Sequence, residues 1–258
     1  MLSTPLGYKL IASDMAGALK RTADQPVVKR ESEYYLATIP TIKSIDEFIK
    51  NDRVFKYAMK AFGLEDMDYA KAFMRKVLTE GIDAKDSFAN KLSDRKYREF
   101  AETFNFARYE GATTIFERAR QGTVDRYYRQ TLESDAGQSN EGVRLALYFE
   151  RKAASVETPF HLMADRALLK VTQVALGIPE AAASMDIDRQ AEFISKKLDV
   201  ADLKEPAKLE KFLQRFTALW EIDNPSTPPL ASVTQLFQGY DAGVSYDLLS
   251  QMQRVRKV

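Results

Sequence analysis

The sequence contains one histidine, His161, which follows Thr158-Pro159-Phe160 at the predicted start of a helix. A lone imidazole cannot supply the several ligands that typical zinc and non-haem iron sites require. Asp165 stands one helical turn further on and would suit an imidazole that acts as a general base. No nucleophilic residue stands at a sequence spacing from this pair that would indicate a catalytic site. We therefore interpret His161 as a surface or partly packed helix residue.

The densest group of acidic residues is Glu65-Asp66-Met67-Asp68, which follows Gly63 and precedes a predicted helix. Carboxylates at a helix N-terminus stabilise the helix through its dipole and its free N–H groups. Asp186 and Asp188 occupy the corresponding place in the second half of the chain. We therefore interpret both groups as helix-stabilising residues rather than as a cation site.

The sequence lacks the motifs of the common cofactor sites. It has no phosphate-binding glycine loop, no paired-histidine metalloprotease motif and no calcium loop. It also has no cysteine, which excludes disulfides, thiol nucleophiles, Fe–S clusters and cysteine zinc sites. We predict no catalytic, cofactor-binding or metal-binding residue and no cofactor, and we expect a protein that is not an enzyme.

One segment mixes cations with aromatic side chains, as sites for single-stranded nucleic acid do. Its members are Arg118, Arg120, Arg126, Tyr127, Tyr128 and Arg129. Acidic residues interrupt this segment, and the whole chain is balanced, with 38 basic and 37 acidic residues. We interpret the segment as a solvated helix face and expect no nucleic-acid partner.

Apolar residues recur at helical spacing along most of the chain, and no run alternates long enough to predict a strand. Ser44-Ile45-Asp46-Glu47 has the form of a capping box and predicts a helix over 45–51. The region 123–155 is predicted as two helices separated by the turn-rich residues 134–140, and Pro206 is predicted to start another helix. The sequence therefore predicts an all-α, multi-helix body.

A pattern of residues occurs twice, at an offset of about 114 residues, as in a duplicated helical unit. The first copy comprises Asp52-Arg53, Phe62-Gly63-Leu64, Phe73, Leu78, Phe100 and Phe104. The second comprises Asp165-Arg166, Leu176-Gly177-Ile178, Phe193, Leu198, Phe212 and Phe216. We expect two related helical units, each with a left-handed glycine cap after its first long helix.

The chain divides into four parts on this basis. They are an N-terminal helix and linker (1–26), a first helical unit (27–122), a second helical unit (123–222), and a Pro-rich linker with a C-terminal helix (223–258). Apolar residues of the last part are spaced for an amphipathic helix, at Leu236, Tyr240, Val244, Leu248, Met252 and Val255. Both terminal helices are expected either to pack on the body or to pair with other subunits.

Short motifs resemble those of an uncharacterised bacterial family that is encoded mainly by alphaproteobacteria, often within flagellar gene clusters. The resemblance covers most of the chain and is carried by Thr4-Pro5-Leu6-Gly7-Tyr8, Tyr34-Tyr35, Lys60-Ala61-Phe62-Gly63-Leu64 and Phe88-Ala89-Asn90-Lys91-Leu92-Ser93-Asp94. Some members carry flagellar rod-related labels, and the family has no established catalytic residues. The resemblance implies a part in flagellar assembly, structure or motility, although a helical middle region departs from the β-rich middle of rod subunits.

We therefore expect a non-enzymatic protein-interaction or structural protein whose terminal helices and exposed aromatic grooves engage flagellar proteins. No stretch is apolar for about eighteen residues, and the first residues lack a cleaved signal peptide, so the expected location is cytoplasmic or flagellum-associated. One alternative is a cytoplasmic chaperone or regulator of flagellar export. Another is an enzyme or ligand-binding protein with a site between the two units, near Asp52-Arg53 and Asp165-Arg166, which we interpret instead as inter-helix ion pairs or caps.

Overall fold

The computed structural model describes residues 2–179 and 185–226, and every regular element within these ranges is helical. The α-helices are α1 (Thr4–Ala12), α2 (Met15–Ala23), α3 (Pro26–Thr38), α4 (Ile45–Lys50), α5 (Asp52–Ala61), α6 (Lys71–Glu80), α7 (Phe88–Lys91), α8 (Arg95–Thr103), α9 (Phe106–Tyr109), α10 (Gln121–Ser139), α11 (Glu141–Ala153), α12 (Pro159–Ala164), α13 (Arg166–Leu176), α14 (Ile187–Lys197) and α15 (Pro206–Asp223). Short 3-10 helices span Ile39–Thr41, Glu65–Met67, Glu110–Ile115 and Val200–Lys204. The all-α prediction is confirmed.

The helices pack around two hydrophobic cores, the first of which is formed by α3 to α10. Its centre is aromatic: the ring centroids of Phe48 and Phe104 lie 4.9 Å apart, and Phe100 packs against both. At its edge, Tyr57 stacks between Tyr35 and Tyr127, with centroid distances of 4.5 and 3.9 Å. Aromatic pairs in such offset arrangements stabilise a core beyond their buried area.

The second core is formed by α1 and by the helices that follow α10. Phe149 of α11 stacks on Phe212 of α15 at 5.1 Å, and Leu213 and Phe216 of α15 are fully buried. Tyr8 of α1 is buried in the same core. The first helix of the chain therefore packs against α11 and against the last described helix, α15.

The long helix α10 connects the two cores, since it packs on α5 on one side and on α11 on the other. It continues to Ser139, so the turn predicted over 134–140 is wrong except at its last residue. There Asn140 caps α11, because its Oδ1 accepts the N–H of Val143 at 3.2 Å. Turn-favouring residues such as Ser, Asp and Gly have only weak local preferences, which helix packing overrides here.

Other local signals in the sequence are confirmed by the structure. Ser44 caps α4 by accepting the N–H of Glu47 at 3.2 Å, and Glu47 accepts the N–H of Lys43 at 2.7 Å. Pro206 is the first residue of α15, as predicted. No helix among the described residues has the length and apolar character needed to cross a membrane.

Both predicted glycine caps are present. Gly63 and Gly177 have φ of 65° and 61°, and each closes a paired set of hydrogen bonds that is typical of a helix C-terminus. The N–H of Leu64 donates to Met59 O at 2.9 Å, and the N–H of Ile178 donates to Gln173 O at 2.8 Å. This local feature recurs, whereas duplication of the whole units stays a prediction.

The predicted Pro-rich linker and C-terminal helix fall mostly beyond the described residues. Helix α15 continues to Asp223, one residue into the predicted linker. Residues 224–226 are described and 227–258 are not. The C-terminal helix, including Arg254, Arg256 and Lys257, therefore lies outside the described residues.

Candidate interaction surface

His161 is held by neighbouring donors, and the described residues place no carboxylate in hydrogen-bond contact with its ring. Its Nδ1 atom lies 3.1 Å from Nη1 of Arg95 and accepts the N–H of Glu157 at 3.2 Å. Burial lowers the pKa of the imidazole, and the charge of Arg95 lowers it further. His161 is therefore a partly packed helix residue held by its neighbours, as interpreted from the sequence.

Asp165, the predicted partner of His161, has other roles. One of its oxygens accepts the N–H groups of Ala167 and Leu168, at 2.9 and 3.1 Å, and so caps α13. The other accepts the hydroxyl of Tyr148 at 2.5 Å. Burial, together with the Asp165 charge, raises the pKa of that Tyr148 hydroxyl. The geometry is that of a structural cap, not of a base and its orienting acid.

The two Asp-Arg pairs have different surroundings. Asp52 pairs with Lys71, and Arg53 donates to both oxygens of Glu31, at 2.7 and 3.1 Å, on the exposed surface of the first core. These contacts join α5 to α6 and to α3 within one core. As interpreted from the sequence, the pairs serve as inter-helix ion pairs and, at Asp165, as a cap.

A cleft does open beside Asp165 and Arg166, between α8, α11 and α13. It has a volume of about 590 Å³, and Asp52 and Arg53 do not line it. Two of its basic side chains form ion pairs with carboxylates that also line the cleft: Arg144 donates to Glu141 at 2.7 Å, and Lys96 lies 3.9 Å from Asp94. The cleft therefore lies beside only one of the two Asp-Arg pairs, and the alternative of a ligand site between the two units stays a prediction.

The acidic cluster Glu65-Asp66-Met67-Asp68 was predicted to lie at the start of a helix, but it does not lie at the start of α6. Glu65, Asp66 and Met67 form a 3-10 helix of their own, and α6 begins only at Lys71, after Ala70. Asp186, in contrast, caps α14 by accepting the N–H of Asp188 at 2.9 Å. Within residues 2–179 and 185–226, no group of three or more His, Asp or Glu side chains could hold a metal ion.

The segment of cations and aromatics is only partly a solvated face. Arg118, Arg120 and Arg126 are exposed, but Tyr127 is buried in the first core, and the side chain of Arg129 is 14% exposed. The prediction is therefore wrong for Tyr127 and Arg129. Both point from α10 into the protein, because α10 packs on α5 on one side and on α11 on the other. Residues two apart lie on roughly opposite faces of a helix, so Tyr127 enters the first core while Arg129 donates to Leu147 O of α11 at 3.0 Å.

Arg129 belongs to an internal charge cluster that the sequence analysis missed. The cluster is centred on Glu133, whose side chain is 2% exposed. Glu133 accepts Nε of Arg129 at 3.0 Å and two nitrogens of Arg151, at 2.8 and 2.7 Å. Burial of such charges requires this complete pairing. The spacing of Arg129 and Glu133 is visible in the sequence, but the contribution of Arg151 depends on how α11 packs.

A second, partly buried ion pair connects the first core to α11. Lys152 donates to both oxygens of Glu99 on α8, at 2.7 and 2.9 Å, and Arg126 lies 3.5 Å from the same carboxylate. Burial raises the pKa of Glu99, but these cations outweigh it and hold the net pKa below its usual range. The ion pair between Glu99 and Lys152 therefore links α8 of the first core to α11.

The described ends of the chain meet at a hydrogen-bonded group formed by Thr4, Asn140, Glu221 and Ser226, which we call the terminal node. Glu221 on α15 accepts the N–H and the hydroxyl of Thr4, each at 2.7 Å, and the N–H and hydroxyl of Ser226, at 2.8 and 2.9 Å. Asn140 donates to both hydroxyls, at 3.0 and 2.9 Å. The node therefore fixes the start of α1, which has no side-chain cap of its own.

The outer side of α1 carries an apolar stripe that no described residue covers. Leu6 and Leu10 lie four residues apart, and therefore on one face of α1, and are 53% and 60% exposed. Leu2, which precedes the helix, is 51% exposed. We call these three leucines the leucine stripe. It is visible in the sequence, but its exposure depends on which side of α1 packs on α11 and α15.

A groove runs beside the leucine stripe, between α1 and the junction of α10 and α11. It has a volume of about 290 Å³, and its lining is mainly aliphatic, with Leu2, Leu10, Ile11 and Val143. Asn140 of the terminal node also lines it. The grooves expected from the sequence were aromatic, whereas this one is aliphatic because most of the aromatic rings fill the first core.

Comparison with known proteins gives a family and a solved structure. A family model described as "Protein of unknown function (DUF1217)" matches residues 61–209. The crystal structure of a protein from Agrobacterium tumefaciens, solved in a structural genomics programme, is similar to this chain with 48% sequence identity and a TM-score of 0.81. The similarity covers 86% of this chain and 94% of that one. A comparison with curated proteins gives no match.

Proposed function

This chain belongs to the DUF1217 family of proteins of unknown function, and we propose that it is a non-enzymatic protein-interaction or structural protein of the flagellar system. Its part would be in flagellar assembly or motility, with other flagellar proteins as partners and the leucine stripe as the contact surface. The flagellar assignment is supported by the resemblance of its sequence motifs to a family often encoded in flagellar gene clusters.

The observation that carries the proposal is the exposure of the leucine stripe on a well-anchored helix. Leu6 and Leu10 on α1, and Leu2 just before it, are each more than half exposed, and exposed apolar patches mark interaction sites on soluble proteins. The terminal node holds α1 in place through Glu221. A rigid helix presents its face to a partner helix at little entropic cost, in the manner of helix-in-groove recognition.

The charged side chains of the body also favour an interaction role over catalysis. Glu133, Glu99 and Asp165 are each fully occupied by ion pairs or caps that hold helices together. Catalytic acids and bases need a free position toward a substrate. These three carboxylates are better explained as parts of the scaffold.

The experiment is to tag the protein in its native bacterium and to compare purified hook and basal-body structures with cytosol and culture supernatant by immunoblot. We expect enrichment in the purified structures. A variant with Leu6→Asp and Leu10→Asp should lose that enrichment while keeping its fold, and Tyr69→Asp, at an exposed aromatic residue far along the chain, is the matched control. Purely cytosolic protein without a flagellar partner would overturn the proposal.

A chaperone or regulator of flagellar export is the second candidate, because the leucine stripe would equally suit an exported subunit with an amphipathic helix. The same fractionation separates the two functions. A chaperone would be absent from hook and basal-body structures but would co-purify from the cytosol with an export substrate, and Leu6→Asp would break that complex.

A further inference from the structure

A further cleft lies between α1, α11 and α15 and has a volume of about 590 Å³. Leu6 and Leu10 of the leucine stripe do not line it. Clefts of this size that combine apolar walls with a few polar groups are typical of small-molecule sites. We call it the Tyr8 cleft. Its lining includes Pro5, Tyr8, Lys9, Glu150, Leu209 and Glu210.

Tyr8 brings a buried polar group without a partner to this cleft. The residue is 7% exposed, and none of the described residues forms a hydrogen bond with its hydroxyl. Buried hydroxyl groups are normally hydrogen-bonded, because burial without a partner is unfavourable. Since Tyr8 lines the cleft, its hydroxyl is available to a bound molecule.

Glu150 brings a carboxylate that is incompletely balanced by cations. Its Oε2 atom is buried and accepts no hydrogen bond from the described residues, and Nη2 of Arg129 lies 3.5 Å away. Arg129 donates instead to Glu133 and to Leu147 O, each at 3.0 Å. Burial raises the pKa of Glu150, and the charge of Arg129 opposes this effect only in part. A partly buried carboxylate in this condition favours a further cation.

The polar groups of the cleft act on one another. Burial raises the pKa of the Tyr8 hydroxyl, and the charges of Glu150 and Glu210 raise it further. Glu210 accepts Nε2 of Gln214, a neutral donor, at 3.0 Å. Together with Lys9, the two carboxylates give the described lining two negative charges and one positive charge. A bound molecule with a single positive charge would balance it.

We propose that the Tyr8 cleft binds a small organic cation, an ammonium group on a short hydrocarbon chain. The ammonium group has three donors and no acceptor, so it can donate both to Glu150 and to the Tyr8 hydroxyl. The hydrocarbon chain would cover Pro5 and Leu209, which a hydrated metal ion would leave in contact with water. This site is separate from the leucine stripe and does not depend on a flagellar partner.

The test is isothermal titration calorimetry of the full chain with three probes that share one hydrocarbon chain: hexylammonium, hexan-1-ol and hexanoate. We expect hexylammonium to bind about tenfold or more tightly than hexan-1-ol, which corresponds to about 1.4 kcal/mol. Hexanoate should show no binding, because its charge is repelled by the carboxylates. The neutral alcohol separates a cation site from an apolar groove.

Two substitutions locate the site. Glu150→Gln should weaken hexylammonium binding about tenfold, and Tyr8→Phe, which removes only the hydroxyl, should weaken it about threefold. Glu192→Gln, at an exposed glutamate on α14, and Leu6→Asp, in the leucine stripe, are controls that should leave the affinity unchanged. Glu150→Gln should melt at no lower temperature than the native protein, because folding raises the pKa of Glu150 and so disfavours its charge.

Three results would overturn the inference. The first is the absence of measurable hexylammonium binding, and the second is equal affinity for hexylammonium and hexan-1-ol. The third is hexylammonium binding that neither Glu150→Gln nor Tyr8→Phe weakens. The flagellar fractionation has no bearing on these outcomes, so the two proposals stand or fall separately.

Discussion

Thr4 and Glu221 join the first and last described helices, because the N–H and the hydroxyl of Thr4 both donate to one oxygen of Glu221, at 2.7 Å each. These residues are 217 positions apart in the chain. The carboxylate thus supplies the cap that α1 lacks and also receives Ser226. The position of the leucine stripe depends on this contact.

Replacing Glu221 with Gln should therefore destabilise the protein and loosen α1. Hydrogen bonds to a charged group contribute about 1.5–3 kcal/mol, and we expect a loss of about 1–3 kcal/mol in the free energy of unfolding. Urea denaturation measures this loss, and hydrogen exchange of the α1 amides locates it. Glu210→Gln is the matched control on the same helix, since Glu210 accepts a hydrogen bond from Gln214 within α15 and does not contact α1 through the terminal node. An equal effect of the two substitutions would contradict the role of Glu221.

The contribution of Glu221 should depend on pH in one direction. Burial raises the pKa of its carboxyl, but the donors on Thr4 and Ser226 outweigh burial and lower the pKa to about 2. A carboxyl whose pKa is lower in the folded state stabilises the protein above its unfolded pKa, which is about 4.3. This stabilisation is lost as the pH falls from about 5 toward 2. The difference in unfolding free energy between the native protein and Glu221→Gln should shrink over that range, and a constant difference would refute the argument.

The internal charge cluster should be sensitive to the loss of its one central carboxylate. Glu133→Gln removes the carboxylate that pairs with both Arg129 and Arg151, and Arg129 keeps only its longer pair with Glu150, at 3.5 Å. Breaking a buried ion pair from one side costs about 3–5 kcal/mol, so we expect a loss of about 3 kcal/mol in unfolding free energy. Glu192→Gln, which removes an exposed pair with Lys196 on α14, is the control and should leave the stability almost unchanged. Similar results for both would mean that Glu133 is not a structural centre.

Local features of this fold could be predicted from the sequence because they depend on neighbouring residues. The cap at Ser44, the glycine ends at Gly63 and Gly177 and the start of α15 at Pro206 all need only a few adjacent positions. The continuation of α10 through 134–139 could not be predicted in this way, because packing on α5 and α11 decides it.

The candidate site was harder to predict for the same reason. The four-residue spacing of Leu2, Leu6 and Leu10 can be read directly, but the sequence does not show which side of α1 faces the body. The contact of Thr4 with Glu221 depends on two helices at opposite ends of the described chain. Arg129 and Tyr127 were assigned to a solvated face because charge and aromatic content do not reveal the direction in which a helix residue points.

Close packing around Gly142 should make the joint between α1, α11 and α15 intolerant of a methyl group. A Cβ atom at this position would lie 2.3 Å from Cδ1 of Trp220 and 2.6 Å from Cγ2 of Thr4. Inserting atoms into a packed core costs about 1–3 kcal/mol, so Gly142→Ala should lower the unfolding free energy by about that amount. Trp220 is the only tryptophan, and a change in its fluorescence would report the displacement directly. Gly122→Ala is the control, because its Cβ would meet only the backbone of Glu117, at 3.3 Å. If Gly142→Ala unfolds like the native protein with unchanged fluorescence, the joint is looser than this geometry requires, and the anchoring of α1 must come from the terminal node alone.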